Sequence, residues 1–429
     1  MKRGFYTIMT AQFFSSLADN ALFVVAVELL RTRGAPEWQS AALVPMFALF
    51  YVVLAPFVGA FADARPKGQV MFVSNAIKVL GCLLMLTSLH PLLAYAIVGL
   101  GAAAYSPAKY GILTELLPPS QLVKANGWIE GLTIASIILG VVLGGQLVGP
   151  LVSGHLLAWE SKLPGVGLGI GTPAEAAIAL LVLVYGVAAW FNTRIPRTGA
   201  ALRHMPRNAL ALLPDFWICN TRLWRDRLGQ ISLSTTTLFW GVSGNLRYIV
   251  LAWAAAALGY STTQASSLVG VVAIGTAVGA VVASLRMRLE HATGVMPLGI
   301  AMGLLVVFMN FIDNVWVAAP FLIALGALGG FLVVPMNALL QHRGHNLMGA
   351  GRSIAVQNFN EQACILFLGF LYSFSTGMGL SAFGAITGFG VFVAGAMWLI
   401  LRWHRRNQRD HAHELERLLE IARRDDLHG

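Results

Sequence analysis

The chain has 429 residues, of which 57% are hydrophobic and only 11% are charged, and its mean hydropathy is +0.71. This balance excludes an ordinary water-soluble globular protein and indicates a chain that lies in a lipid bilayer. The net charge of +10 does not indicate nucleic-acid binding, because no basic stretch is interleaved with a stacking or groove-reading motif.

Twelve apolar stretches follow one another along the chain, each close to the roughly 20 residues that a bilayer-spanning helix needs. We predict spans at 7–30, 40–62, 69–88, 91–113, 120–149, 174–194, 228–252, 263–285, 294–312, 315–337, 352–374 and 379–402. The first is expected to be a retained span, because its charged start is followed by no small-residue cleavage site. The sequence therefore predicts an all-α membrane protein with twelve transmembrane helices.

The distribution of Lys and Arg predicts the orientation of these spans, because cytoplasmic loops retain positive charge. Of the 29 Lys and Arg residues, three fall in the loops after odd-numbered spans and three lie within spans, so that 23 are on the other side. Both termini are therefore expected to be cytoplasmic, and contact with membrane lipids that carry anionic headgroups explains the excess charge. The 3 cysteines indicate neither a disulfide framework nor a metal site, because none of them is expected in an outside loop.

The spans divide into two groups of six around a polar stretch. The run at 99–113 resembles the run at 326–340, which favours a duplicated bundle. Each run leads from glycines to a proline at the matching place, Pro107 and Pro335. We predict an N-terminal six-helix bundle at 1–194, a cytoplasmic linker at 195–227, a C-terminal six-helix bundle at 228–402 and a cytoplasmic amphipathic tail at 403–429. Apolar side chains among basic ones suggest that the linker contains either a short interfacial helix or a solvated loop.

Charged side chains inside the apolar stretches indicate where a function lies, because a charge in hydrocarbon costs about 3 kcal/mol and requires a partner, a water-filled cavity or a role. These residues are Asp19, Lys78, Lys109, Glu130, Arg247 and Glu361. Helical spacing aligns most of them with other polar side chains on single helix faces, which lipid cannot satisfy. We therefore predict a substrate-binding path that consists of Asp19, Asn20, Tyr105, Lys109, Asn126, Glu130, Arg247 and Glu361.

Ion pairing alone is an alternative explanation for these charges. Lys109 would then pair with Glu130. Asp19 would pair with Arg247, and both pairs would only hold helices together. Lys78 is expected to have a structural role in either case.

The loop between the second and third spans reads GAFADARPKG at 59–68, with a glycine, an aspartate four residues later and then a basic turn. It resembles the corresponding loop of the major facilitator superfamily. In that superfamily the aspartate is part of an interdomain latch at a helix N-terminus, where acids are favoured. The resemblance implies a conformational latch formed by Gly59, Asp63, Lys67 and Gly68.

Four runs of sequence indicate a particular family within this superfamily: LADNAL at 17–22, GAAAYSPAKYGIL at 101–113, LVKANG at 122–127 and FWGVSGNLRY at 239–248. With them the chain resembles the bacterial lysophospholipid transporter family of the major facilitator superfamily. This implies the major facilitator fold and inward flipping of lysophosphatidylethanolamine and lysophosphatidylglycerol across the inner membrane for reacylation. It also implies a functional link to a cytoplasmic acyltransferase. We expect no cofactor and a monomer.

A lysolipid requires an apolar route for its tail. Burial of a methylene is worth about 0.8 kcal/mol, so that drawing a ~16-carbon tail through water would cost on the order of 12 kcal/mol. We therefore expect alternating access with a lateral opening to lipid, while the polar faces carry the headgroup. Lys109 and Arg247 would engage the phosphate, an acidic side chain of the path would engage an amine, and the amide and phenol groups would supply hydrogen bonds.

Two other functions are weaker alternatives. A proton-coupled exporter of drugs or small solutes would favour a complete latch signature and a proline in the fifth span, and the sequence lacks both. A membrane-embedded acyltransferase commonly uses a histidine followed by an aspartate five residues later, and no histidine here has one. We therefore predict no enzymatic activity, no catalytic residue and no metal site.

Overall fold

The structure is a computed structural model that describes residues 3–35, 37–87, 89–149, 154, 171–206, 208–260 and 262–427. The helices of at least ten residues in these segments are α1 (Arg3–Thr32), α2 (Glu37–Val53), α3 (Ala55–Ala64), α4 (Lys67–Met85), α5 (Pro91–Leu116), α6 (Pro119–Val148), α7 (Pro173–Thr193), α8 (Leu212–Arg225), α9 (Gly229–Leu258), α10 (Thr262–Arg286), α11 (Met296–Phe308), α12 (Val315–Met348), α13 (Ala350–Gly377), α14 (Ala382–Asp410) and α15 (Ala412–Leu427). Short 3₁₀ turns at Ala209–Ala211, Leu289–Val295 and Met309–Phe311 complete the described secondary structure, which contains no strand.

The predicted all-α membrane fold is confirmed. Nine of the described helical segments are long and apolar enough to cross a bilayer, and the bent pair α2 and α3 is a tenth. The two other predicted spans coincide with α9 and α13, whose 30 and 28 residues are long enough to cross but carry more polar side chains. The chain is therefore a multi-pass membrane protein.

The second predicted span is a broken helix rather than a straight one. Its two parts, α2 and α3, meet at Leu54 with a bend of 63°. Pro56 lies in the first turn of α3 and has no backbone N–H, so that the helical hydrogen-bond ladder cannot continue through this point.

The chain divides into two compact units. Unit 1 comprises Met1–Glu115 and Ala135–Leu213, and unit 2 comprises Leu116–Ile134 and Pro214–Gly429. The first part of α6 is thus a member of unit 2. These units group residues by contact, and the division by chain order at 1–194, 195–227, 228–402 and 403–429 stays a prediction.

Glycines bring two helices of unit 2 into backbone contact. On α10 and α12, a side chain at any of four glycines would overlap a carbonyl oxygen of the other helix; these are Gly275, Gly279, Gly326 and Gly330. Each pair is spaced by four residues, the arrangement that lets membrane helices approach closely and gain van der Waals contact where lipid offers no hydrophobic driving force.

Candidate functional site

In unit 1, Asp19 of α1 lies at the centre of a buried polar network. Lys78 Nζ of α4 donates to Asp19 Oδ2 at 2.7 Å, and the Tyr185 hydroxyl of α7 donates to Asp19 Oδ1 at 2.6 Å. Lys78 also donates to Ser15 Oγ at 3.0 Å, one turn before Asp19 on α1. The side chain of Lys78 is 1% exposed and that of Asp19 is 20% exposed. The network therefore joins three helices and pairs the lysine charge completely.

This network gives Asp19 a partner that the ion-pair alternative did not include. That alternative joined Asp19 to Arg247, whose side chain lies outside the described residues, and the structure pairs Asp19 with Lys78. The sequence feature that indicates this pair is the polar face of α4, on which Asn75 and Lys78 lie one turn apart. Asn75 Oδ1 accepts a hydrogen bond from the Ser15 hydroxyl at 2.8 Å. Nothing in the sequence pointed to Tyr185, which is a single phenol in an apolar helix. Because both carboxylate oxygens of Asp19 accept hydrogen bonds, this side chain is a poorer partner for a substrate amine.

The other predicted residues of unit 1 lie on α1 and α5. Asn20 donates to the Ser16 carbonyl of its own helix at 2.8 Å. The ring of Tyr105 lies 5.0 Å from Lys78 Nζ, and its buried hydroxyl has no hydrogen-bond partner within the described segments. One turn later, Lys109 Nζ lies 4.1 Å from the centre of the Tyr110 ring. Asp19 and Tyr105 thus both contact Lys78, the residue that the sequence indicated as structural.

In unit 2, Asn126 of α6 forms a reciprocal amide pair with Gln341 of α12. Each side chain donates to the other at 2.9 Å, and both are buried. Such a pair satisfies one donor and one acceptor of each amide in a medium that offers no water. Gln341 lies outside the span predicted at 315–337, which is why the sequence did not single it out.

A second buried cluster of unit 2 surrounds Glu361 of α13. Gln357 Nε2, one turn earlier, donates to Glu361 Oε1 at 2.7 Å and to Asn337 Oδ1 of α12 at 3.0 Å. The carboxyl group of Glu130 is close enough to interact with Glu361 electrostatically. The cluster is rich in acceptor oxygens, and the buried Gln357 Oε1 lacks a partner among the described residues. It is therefore suited to a cationic hydrogen-bond donor.

Arg247 lies on α9, and its side chain is outside the described residues. The structure therefore leaves its predicted role in the path as a prediction. Within the segments that the structure covers, no group of three His, Cys, Asp or Glu side chains could hold a metal ion.

The predicted latch residues lie together at the junction of α3 and α4 in unit 1. Lys67 Nζ is 3.1 Å from Asp63 Oδ1 and 3.1 Å from Glu115 Oε1 of α5, and all three side chains are buried. Sequence reasoning missed Glu115, which lies two residues beyond the fourth predicted span at 91–113 and carries no motif of its own. Gly59 is also buried in α3.

The first part of the linker packs against this latch. The Thr198 hydroxyl donates to Glu115 Oε2 at 2.7 Å, and the backbone N–H of Arg203 donates to the Asp63 carbonyl at 3.0 Å. Gly68 approaches the end of α7 closely, because a Cβ at this position would lie 3.0 Å from the Asn192 carbonyl oxygen. The linker therefore begins as an ordered segment of unit 1.

Comparison with known proteins gives results of two kinds. A family model described as Major Facilitator Superfamily matches residues 8–366. The protein named "Lysophospholipid transporter LplT" from Escherichia coli strain 536 is 39% identical over 406 residues, which cover 94% of this chain and 97% of the relative. The protein of the same name from Yersinia pestis strain Pestoides F is 40% identical over 380 residues, 88% of each chain.

Solved structures are similar in fold at much lower identity. The crystal structure of the major facilitator transporter FucP in the outward conformation aligns with a TM-score of 0.71 at 13% identity, covering 93% of this chain and 98% of FucP. The human organic anion transporter MFSD10 aligns with a TM-score of 0.69 at 15% identity, covering 94% of this chain and all of the other. At these identities the alignments establish the fold alone.

Proposed function

The chain belongs to the major facilitator superfamily, and on that premise we propose that it is a lysophospholipid transporter of the bacterial inner membrane. The observation that carries this proposal is about 40% identity, over nearly the full length of both chains, to relatives that are named as such transporters. The transported lipids are lysophosphatidylethanolamine and lysophosphatidylglycerol, which move inward and are reacylated by a cytoplasmic acyltransferase. Both termini of the protein are cytoplasmic, and it acts as a monomer.

Polar side chains buried between the helices support a route for the headgroup. Lys109 and Arg247 engage the phosphate, because cationic donors form strong charge-assisted hydrogen bonds to phosphate oxygens. Glu361 engages the amine of ethanolamine, since its cluster is rich in acceptor oxygens while both oxygens of Asp19 already accept hydrogen bonds. The remaining hydrogen bonds to the headgroup come from Asn20, Tyr105, Asn126 and Glu130.

The tail of the lipid remains in an apolar medium throughout, which requires a lateral opening to the bilayer. Access alternates between the two sides of the membrane, and the latch of Gly59, Asp63, Lys67 and Gly68 stabilises one of the two states. The buried contacts of Lys67 support this role, because breaking a buried ion pair is costly and a state in which it is intact is favoured.

The direct test of this function is uptake of labelled lysolipid by spheroplasts that express the chain. We expect uptake of lysophosphatidylethanolamine and lysophosphatidylglycerol well above that of spheroplasts with an empty vector. A cationic dye is measured in parallel. Expulsion of the dye without lysolipid uptake would instead support the proton-coupled exporter.

Replacing Glu361 with glutamine tests the amine site. We expect uptake of lysophosphatidylethanolamine to fall about tenfold relative to that of lysophosphatidylglycerol, because a hydrogen bond to a charged group is worth roughly 1.5–3 kcal/mol and only the first lipid has an amine. The measurement is the ratio of the two initial uptake rates. Asp313→Asn is the matched control, because it removes an exposed acid outside the cluster and should leave the ratio unchanged. Equal loss for both lipids would reject the amine role.

A further inference from the structure

The linker helix α8 has two apolar faces on opposite sides. One face is buried in unit 2 and includes Phe216, Cys219 and Leu223. At 3.6 residues per turn, Ile218 points away from that face and is 52% exposed. Trp217 lies beside it and is 53% exposed, although one edge of its ring also contacts Phe359 with the ring centres 5.6 Å apart. An amphipathic helix that only docks on its own protein needs one apolar face, so the second face requires a different partner.

The buried face attaches α8 to the first turns of α13. Asp215 Oδ2 is 2.8 Å from Arg352 Nε, and Trp224 Nε1 donates to Asn360 Oδ1 at 3.2 Å. Between them, the ring of Phe216 lies edge-on to Phe359 with the ring centres 5.3 Å apart. These contacts fix which side of α8 faces outward.

The contacts also place α8 at a defined depth along α13. The 28 residues of α13 extend for about 42 Å, whereas the hydrocarbon core of a bilayer is about 30 Å thick. The contacts run from Arg352 to Asn360, which lie about 3 Å and about 15 Å from the start of α13. If α13 is centred in the bilayer, its first ~6 Å lie outside the hydrocarbon core, and these contacts fall on both sides of the boundary between headgroups and hydrocarbon, where tryptophan is enriched.

The charge on the outer side of α8 is positive. Arg222 and Arg225 are exposed. The two acids of the segment face unit 2 instead, because Asp215 pairs with Arg352 and Asp226 is 2.6 Å from Arg343. Basic side chains beside an exposed apolar face are complementary to an anionic lipid surface.

We propose that the outer face of α8 is a binding surface for anionic phospholipid of the surrounding bilayer. Trp217 and Ile218 enter the boundary between headgroups and acyl chains, while Arg222 and Arg225 contact the headgroup phosphates. None of these four residues belongs to the proposed path of the transported lipid, so that the inference goes beyond the proposed function and does not depend on it.

The test measures lipid contact in the full-length protein in nanodiscs of phosphatidylcholine, with and without phosphatidylglycerol. In a chain whose three native cysteines are replaced by alanine, Ile218→Cys is labelled with bimane and exposed to lipids that carry a quencher near the headgroup. Arg406→Cys is the control, since it is 81% exposed and lies about 36 Å along α14, beyond the hydrocarbon core. Leu213→Cys is a second labelling site if the first variant does not reconstitute.

We expect quenching at position 218 to exceed that at 406 about twofold or more, and to increase when phosphatidylglycerol is present. Replacing Arg222 and Arg225 with glutamine should remove the dependence on phosphatidylglycerol while the protein still reconstitutes. Quenching no greater than at 406 would overturn the proposal, because α8 would then face water. Equal quenching in the two lipid mixtures would also overturn it, because the surface would not select anionic lipid.

Discussion

Replacing Asp19 with alanine is expected to lower the free energy of unfolding by about 3–5 kcal/mol, the usual cost of removing one partner from a buried ion pair. The variant leaves the Lys78 ammonium, 1% exposed, with the Ser15 hydroxyl as its one remaining hydrogen-bond acceptor among the described residues. The Tyr185 hydroxyl loses its acceptor at the same time. The measurement is thermal unfolding of the purified protein in one detergent.

The matched control for this variant lies on the same helix. Glu28 forms an ion pair with Arg31, whose side chain is 79% exposed, and exposed pairs contribute about 0–1 kcal/mol. Glu28→Ala should therefore leave the unfolding temperature nearly unchanged. If Asp19→Ala is as stable as Glu28→Ala, the buried pair does not hold α1, α4 and α7 together.

A double variant separates structure from transport at this site. Asp19→Asn with Lys78→Met removes both charges, and we expect it to be more stable than either single variant because no buried charge is left unpaired. If Asp19 also binds the headgroup, the stable double variant will lack uptake. Normal uptake would restrict Asp19 to a structural role.

Replacing Arg247 with alanine is expected to reduce uptake of lysophosphatidylethanolamine about 100-fold or more while protein levels stay normal. A guanidinium can form two parallel hydrogen bonds to a phosphate, each worth roughly 1.5–3 kcal/mol because the groups are charged. Arg247→Lys keeps the charge but loses the bidentate hydrogen-bond geometry of the guanidinium, so that we expect partial uptake. The measurement is initial uptake in spheroplasts, normalised to the amount of protein in the membrane.

A matched control for the arginine is Arg286→Ala. Arg286 is an exposed basic residue at the end of α10, and its loss lowers the net charge equally without removing a charge from within a predicted span. Uptake should remain normal in this variant. Normal uptake by Arg247→Ala as well would reject the phosphate role and would leave that arginine as a structural charge.

Hydropathy along the chain was sufficient for the membrane architecture. Each predicted span coincides with a helix, a bent helix pair or a helix extended by 3₁₀ turns. Hydropathy predicts these spans because the free energy of placing a segment in hydrocarbon depends on a local window of about 20 residues. The polar faces of α1 and α13 could be recognised in the same way, because helical periodicity is also a local property.

The partner of each buried polar group was decided only by tertiary structure. Lys78 pairs with Asp19, and Asn126 pairs with Gln341, 215 residues away in the chain. These choices depend on which helices are neighbours, on the rotation of each helix about its axis and on the depth at which two side chains meet. A helical stripe specifies a face of one helix, whereas a hydrogen bond of 2.7 Å requires the faces of two helices to meet at the same depth. The sequence by itself therefore determined the spans and their polar faces, and packing alone determined the pairs.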